Sequence, residues 1–186
     1  TLIFVGQVDR QWGVELALRA LSRLKGRADL RLMIVGTGPH EYVQYVKRLS
    51  SRLAVQDQVV FCGMVPYRNV PELLSKADVG LAPYPPSSAA EFGLPLKIKE
   101  YCASGLPVVC TQVGEIPQFI KESNAGLASR YDEGDFADAI LCLIEDDALY
   151  CAKSESGKIY AKKFDWSALF EKEWQVVRSL GVFSLR

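Results

Sequence analysis

With 186 residues, 49% of them hydrophobic and 24% charged, the chain is long enough to bury a core and reads as one globular domain. Lysine plus arginine and aspartate plus glutamate balance at 22 each, so there is no basic excess to attract nucleic acid or an anionic membrane, and no apolar run approaches bilayer length. The single histidine, His40, and five scattered cysteines without CxxC or Cys/His spacing leave no metal site and no disulfide framework, so the cysteines read as small core residues of a reducing, cytoplasmic protein.

The chain opens at Thr1, with no signal-peptide pattern, directly into the apolar run Leu2–Val5. That run predicts a buried strand and suggests a domain cut from a longer chain. A glycine-bounded loop, Gly6-Gln7-Val8-Asp9-Arg10-Gln11-Trp12-Gly13, leads to a helix with Val14, Ala17, Leu18, Leu21 and Leu24 on its apolar face. Residues 31–35 form a second strand closed by Gly36-Thr37-Gly38-Pro39, and a helix follows with Tyr42, Val46, Leu49 and Leu53 on one side. A GxG after a strand hints at a dinucleotide fold, but Glu41 stands where the third glycine belongs, which argues against a nicotinamide site. The glycines suit close backbone approach to a ligand or a tight turn.

A third strand over 59–65 runs through the Gly63 turn, residues 70–77 predict a short helix, and 78–83 a fourth strand. Residues 84–92, rich in proline, serine and alanine, form the least regular stretch. A helix then starts at Pro95 and ends before Gly105 and Pro107, with Leu94, Ile98, Tyr101 and Cys102 facing the core and Gly93, Lys97, Glu100 and Ser104 on a side free to bind. Lys97 and Lys99 both lie in its first turn, where unpaired N–H groups already carry positive charge. Either an anion such as phosphate is held there, or Lys97 pairs with Glu100 three residues on. After a fifth strand over 107–110 come a Thr111-to-Gly114 turn and a short helix. Beyond Asp132 the chain reads as helical, with one stripe of Phe136, Ile140, Leu141 and Ile144 and another of Trp166, Leu169, Phe170, Trp174, Val177 and Leu180. The apolar tail Val182 to Leu185 suits contact with an absent partner or packing within the domain. Alternating strands and helices predict an α/β fold with a doubly wound, Rossmann-like parallel sheet covered on both faces. Its ligands are expected at the carboxyl ends of the strands, where Gly6, Gly36, Gly63, the 84–93 loop and the helix start converge.

The run from Glu91 to Thr111 resembles the donor-binding segment of retaining glycosyltransferases of family 4, which have the two-domain GT-B fold; Pro95, Lys97, Glu100, Tyr101, Ala103, Gly105, Pro107 and Val108 carry the match. The resemblance implies that residues 1–186 are the C-terminal nucleotide-sugar-binding half of such an enzyme, with the acceptor domain outside this chain. It implies donor contacts from Gly6, Gln7, Gly36, Met64, Val65, Gly93, Leu94, Pro95, Leu96 and Glu100, the last to the ribose, with Lys97 and Arg10 on the diphosphate. Family members commonly carry an arginine and a lysine where this chain has Gln7 and Trp12, although an aromatic residue before the second glycine is similar to the subgroup with the proline-x-lysine run. Many also carry a glutamate eight positions before the second, and here that position is Phe92, with Glu91 one further back. Either Glu91 takes the role facing the transferred sugar or that carboxylate is not used.

The implied activity is transfer of a glycosyl group from a nucleoside-diphosphate sugar, a substrate and not a cofactor, to a glycan or lipid-linked acceptor in polysaccharide biosynthesis. No metal is implied, and there is no DxD run. The implied location is the cytoplasm, or the membrane surface for the full-length protein. A non-catalytic nucleotide-sugar-binding domain and a GT-B sugar-nucleotide epimerase are the alternatives.

Overall fold

The computed structural model describes residues 1–27, 29–86 and 89–180. Six short strands, β1 (Leu2–Val5), β2 (Leu32–Val35), β3 (Val59–Gly63), β4 (Val79–Ala82), β5 (Val108–Thr111) and β6 (Gly126–Ser129), form one sheet in the order β3-β2-β1-β4-β5-β6. Every neighbouring pair is parallel. Continuous apolar runs such as LIFV and VVCT suit central parallel strands buried on both faces. Edge strand β3 is only half-buried.

Strand β6 is not among the sequence expectations. Its residues, GLAS, carry one large apolar side chain and a glycine, a weak strand signal. Gly126 is needed there because a Cβ would stand 2.0 Å from the Val108 carbonyl oxygen.

Helices α1 (Val14–Arg23), α2 (His40–Arg52) and α6 (Glu133–Glu145) cover one face with Leu2 and Phe4 of β1 beneath them. Helices α3 (Val70–Leu74), α4 (Leu96–Ala103) and α5 (Ile116–Ser123) cover the other, over Ile3. This alternation along β1 is the period of two that a strand imposes. The predicted α1 stripe is buried throughout, while on α6 the buried set is Phe136, Ala137, Ile140 and Leu143, with Leu141 and Ile144 half-buried. The helical stretch beyond Asp132 breaks at Asp146, whose side chain accepts from the Leu149 N–H at 2.8 Å and caps α7 (Asp147–Ala161).

Two sequence expectations need correction here. Cys102 and Cys110 are core residues, but Cys142 and Cys151 are exposed, because both sit on the solvent sides of helices whose other faces do the packing. On the last helix, α8 (Trp166–Ser179), Trp166 and Phe170 of the expected stripe are exposed, and Phe170 stacks on Trp174 at 6.1 Å. The apolar tail, residues 182–185, lies outside the described residues. No helix among the described residues is long and apolar enough to cross a membrane.

Candidate functional site

Strand order reverses between β1 and β4, whose chains leave in opposite directions and open a crevice beyond their carboxyl ends. The two strands pair only at Leu2 with Val79 and Ile3 with Gly80, then part. Tyr101 of α4 fills the gap, its hydroxyl accepting from Val5 N–H at 2.9 Å and donating to the Leu81 carbonyl at 3.3 Å. Gly80 makes room for that ring, since a Cβ there would lie 2.4 Å from Tyr101 Cδ2.

Helix α4 begins at the crevice. Pro95 is its N-cap, with φ −61° and ψ 134°, and no side chain caps it. Two residues on, Lys97 is 7% exposed and its Nζ has no hydrogen-bond partner. The expectation that Lys97 lies on a free helix face is therefore corrected: the end of β1 and the loop beyond it pass over the side chain. Its Nζ lies 4.3 Å from the Phe4 ring centroid, 5.0 Å from Trp12 and 5.1 Å from Tyr84. Gly6 sits directly against it, since a Cβ at Gly6 would stand 2.8 Å from Nζ. Burial pushes the ammonium pKa down to about 7, and the Glu100 carboxylate offsets part of that shift. The pair with Glu100 is not made; Glu100 instead accepts from the Tyr67 hydroxyl at 2.8 Å. Lys99 turns away, its Nζ 4.4 Å from the Phe164 ring, so only one of the two lysines serves the crevice.

A cavity of about 400 Å³ opens at the start of α4, lined by Trp12, Tyr84, Ala90, Phe92, Gly93, Leu94, Pro95, Leu96 and Lys97. The predicted residues Gly93 to Lys97 thus come together, with Gly6 against Lys97. Glu100 lies a turn further along and faces a separate hollow of about 150 Å³ shared with Tyr67, Val70 and Leu74. Arg10, in the short turn Arg10–Trp12, and Gln7 are exposed outside the cavity lining, and among the described residues Arg10 makes no ion pair. Glu91 is exposed in the turn Ala89–Phe92, its Cα packed against Gly114. Met64 is exposed and Val65 half-buried, just past β3. Gly36 takes a structural role: at φ +136° its missing Cβ would stand 1.8 Å from the Gly6 carbonyl oxygen. Tyr84 and Tyr67 were not singled out as site residues. The signal for Tyr84 is its place directly after Pro83, at the carboxyl end of a strand flanking the strand-order reversal.

A parallel sheet of this order, with its cavity at the reversal, is a Rossmann-like fold, the architecture that GT-B glycosyltransferases share with other nucleotide-binding proteins. Residues 1–146 match the family of glycosyl transferases group 1, and the chain belongs to that family. It is 30% identical over 176 residues to the D-inositol 3-phosphate glycosyltransferase of Corynebacterium jeikeium, covering 90% of this chain and 41% of that enzyme. In fold it is similar to Anabaena HepE crystallised with UDP, with a TM-score of 0.82 at 17% identity over 98% of this chain and 48% of HepE. It is similar also to the C-terminal domain of the group 1 protein LpcC from Francisella tularensis, with a TM-score of 0.71 at 20% identity over 87% of this chain and 83% of that one. The chain spans about 40% of the length of the D-inositol 3-phosphate glycosyltransferases it matches.

Proposed function

We propose that this chain is the C-terminal donor-binding domain of a retaining family 4 glycosyltransferase, holding a nucleoside-diphosphate sugar while its glycosyl group passes to an acceptor hydroxyl. The observation that carries the reading is Lys97: a buried ammonium with no partner, against a glycine, at an uncapped helix start beside the strand-order reversal. An unpaired buried cation is unfavourable until an anion joins it, and the first-turn N–H groups of α4 add donors of the same sign. During transfer the bond between the anomeric carbon and the diphosphate oxygen breaks, and the charge left on the diphosphate falls to Lys97 and the helix start, with Arg10 approaching from the loop. Gly6 and Gln7 border the diphosphate, Gly93 to Leu96 border the sugar with Glu91 above them, and Met64 and Val65 meet the base. Glu100 accepts from the ribose hydroxyls.

Trp12 stands where the family commonly has a lysine, which on its own favours a non-catalytic binding domain. Lys97 Nζ, 5.0 Å from the Trp12 ring, supports the catalytic reading instead, because it restores a cation beside that position. HepE was crystallised with UDP and with UDP-glucose, which makes UDP the first nucleotide to try.

The test is thermal shift and calorimetry of the protein with UDP, GDP and ADP and their sugar conjugates, since a ligand that binds only the native state raises its stability. Selective stabilisation by one diphosphate is expected; no binding to any of them by the full-length protein would sink the reading. This chain alone is expected to bind donor without transferring sugar, and acceptor-independent conversion of the donor by the full-length protein would identify an epimerase. Glu100→Ala should weaken nucleotide binding by about 10- to 150-fold and abolish the preference for ribose over dideoxyribose, because a carboxylate accepting hydroxyl hydrogen bonds contributes roughly 1.5–3 kcal/mol. Equal loss for both sugars would remove Glu100 from the ribose.

A further inference from the structure

Tyr84 is 2% exposed and stands two residues past the end of β4, after Pro83. Its backbone is pinned on both sides: the amide donates to the Ala82 carbonyl at 3.1 Å and the carbonyl accepts from Thr111 Oγ1 at 2.6 Å. The ring packs on Trp12 with centroids 5.8 Å apart. Its hydroxyl nevertheless has no hydrogen-bond partner. Packing alone does not account for that oxygen, since phenylalanine would fill the same aromatic volume without burying an unsatisfied donor.

Among the described residues, two buried side-chain polar atoms lack a partner, Tyr84 Oη and Lys97 Nζ, and both residues line the same cavity. The other side chains around them are Trp12, Ala90, Phe92, Leu94, Pro95 and Leu96, with no carboxylate and no amide. An ammonium and a hydroxyl, both buried just behind an otherwise apolar lining, match a group made of acceptors that could draw them out. Phosphate oxygens, which only accept and carry the charge that an ammonium pairs with, fit that description.

We propose that the Tyr84 hydroxyl is a second donor to the diphosphate held by Lys97, so that the phenol and the ammonium close on the leaving group from the β4 loop and from α4. This assignment rests on the nucleotide-sugar reading above and adds to it a neutral donor that no charge pattern in the sequence marks. Burial raises the phenol pKa, so the hydroxyl keeps its hydrogen across the range in which Lys97 titrates.

Inorganic pyrophosphate and UDP are the probes, with uridine as the control that lacks phosphate, titrated calorimetrically into the full chain and its Tyr84→Phe variant. The variant should melt at the same temperature as the parent or higher, bind pyrophosphate and UDP about five- to tenfold more weakly, and bind uridine unchanged. Equal affinity of parent and variant for both phosphate probes would overturn the proposal, as would failure of the parent to bind pyrophosphate at millimolar concentration. Pyrophosphate binding that depends on Tyr84, without any binding of UDP, GDP or ADP, would support the clamp while sinking the nucleotide-sugar reading. Should the substitution disturb the fold, the ultraviolet difference spectrum of the parent during pyrophosphate titration reads the same contact. A perturbed tyrosine band supports the assignment, and an unperturbed one overturns it.

Discussion

Lys97→Met is expected to weaken nucleotide-sugar binding by roughly 30- to 150-fold, the equivalent of about 2–3 kcal/mol for a lost charge-assisted contact, while making the ligand-free protein more stable. Both signs follow from one environment. The side chain lies among Phe4, Trp12 and Tyr84 without a hydrogen-bond partner, so methionine keeps most of the packing and removes a desolvated charge. Calorimetry and thermal melting of the same two samples read both effects. Unchanged affinity would dismiss Lys97 as the anion ligand. A lower melting temperature would mean that its cation–π contacts outweigh desolvation.

The same residue sets a pH dependence. Unfolded, Lys97 keeps its proton up to its ordinary pKa of 10.5; folded, it releases it near 7. Between those values the unfolded chain binds one more proton than the folded one, so this group makes stability rise with pH across that window. Below pH 7 both states are protonated and the full cost of burying the charge is present; above 10.5 it is gone. Donor affinity runs the other way, falling by up to about tenfold per pH unit above 7 as the cation is lost. A nucleotide sugar is the right probe because its diphosphate, bonded at both ends, does not itself titrate there. In Lys97→Met both slopes should flatten.

The second large effect is on folding. Gly36→Ala should cost about 3 kcal/mol or more in urea denaturation, because a backbone clash at a conformation closed to side chains is among the few mechanisms that reach that size. The added Cβ would stand 1.8 Å from the Gly6 carbonyl oxygen, and φ there is +136°. Gly63→Ala is the control. Its φ is +68° with nothing within 4 Å of the added atom, so its cost should stay near 1–2 kcal/mol, roughly the left-handed penalty alone. Equal losses would mean that the close approach to Gly6 is not what requires glycine at 36.

The chain made its architecture legible wherever apolar residues were consecutive or periodic. Leu2–Val5, Val79–Ala82 and the α1 stripe are such segments. Strand β6 escaped because a glycine and two small residues carry little strand signal, and its place is decided by Val108 across the ladder. Within the site, helical spacing put Lys97 on a face free to bind, whereas it is buried, and the depth at which it sits depends on Gly6 just past β1. Spacing along one helix holds no information about what passes over it. Tyr84 was hidden for a related reason: an unsatisfied hydroxyl is defined by all of its neighbours together, and those come from β4, α4 and the β1 loop. The stripe on α8 shows the converse limit, since periodicity marks a face without naming what covers it.

The hydroxyl of Tyr101, wedged where β1 and β4 separate, fixes how far apart the two sides of the crevice stand. The bonds that prop those two strands apart are made inside the core by residues that the cavity does not expose. The spacing of the cleft is thus set during folding, before any nucleotide arrives, and little ordering entropy is left to be lost on binding. Prising the sheet further open for a ligand of another shape would mean breaking those bonds. What can change without disturbing that frame is the rim of the cavity between β4 and α4.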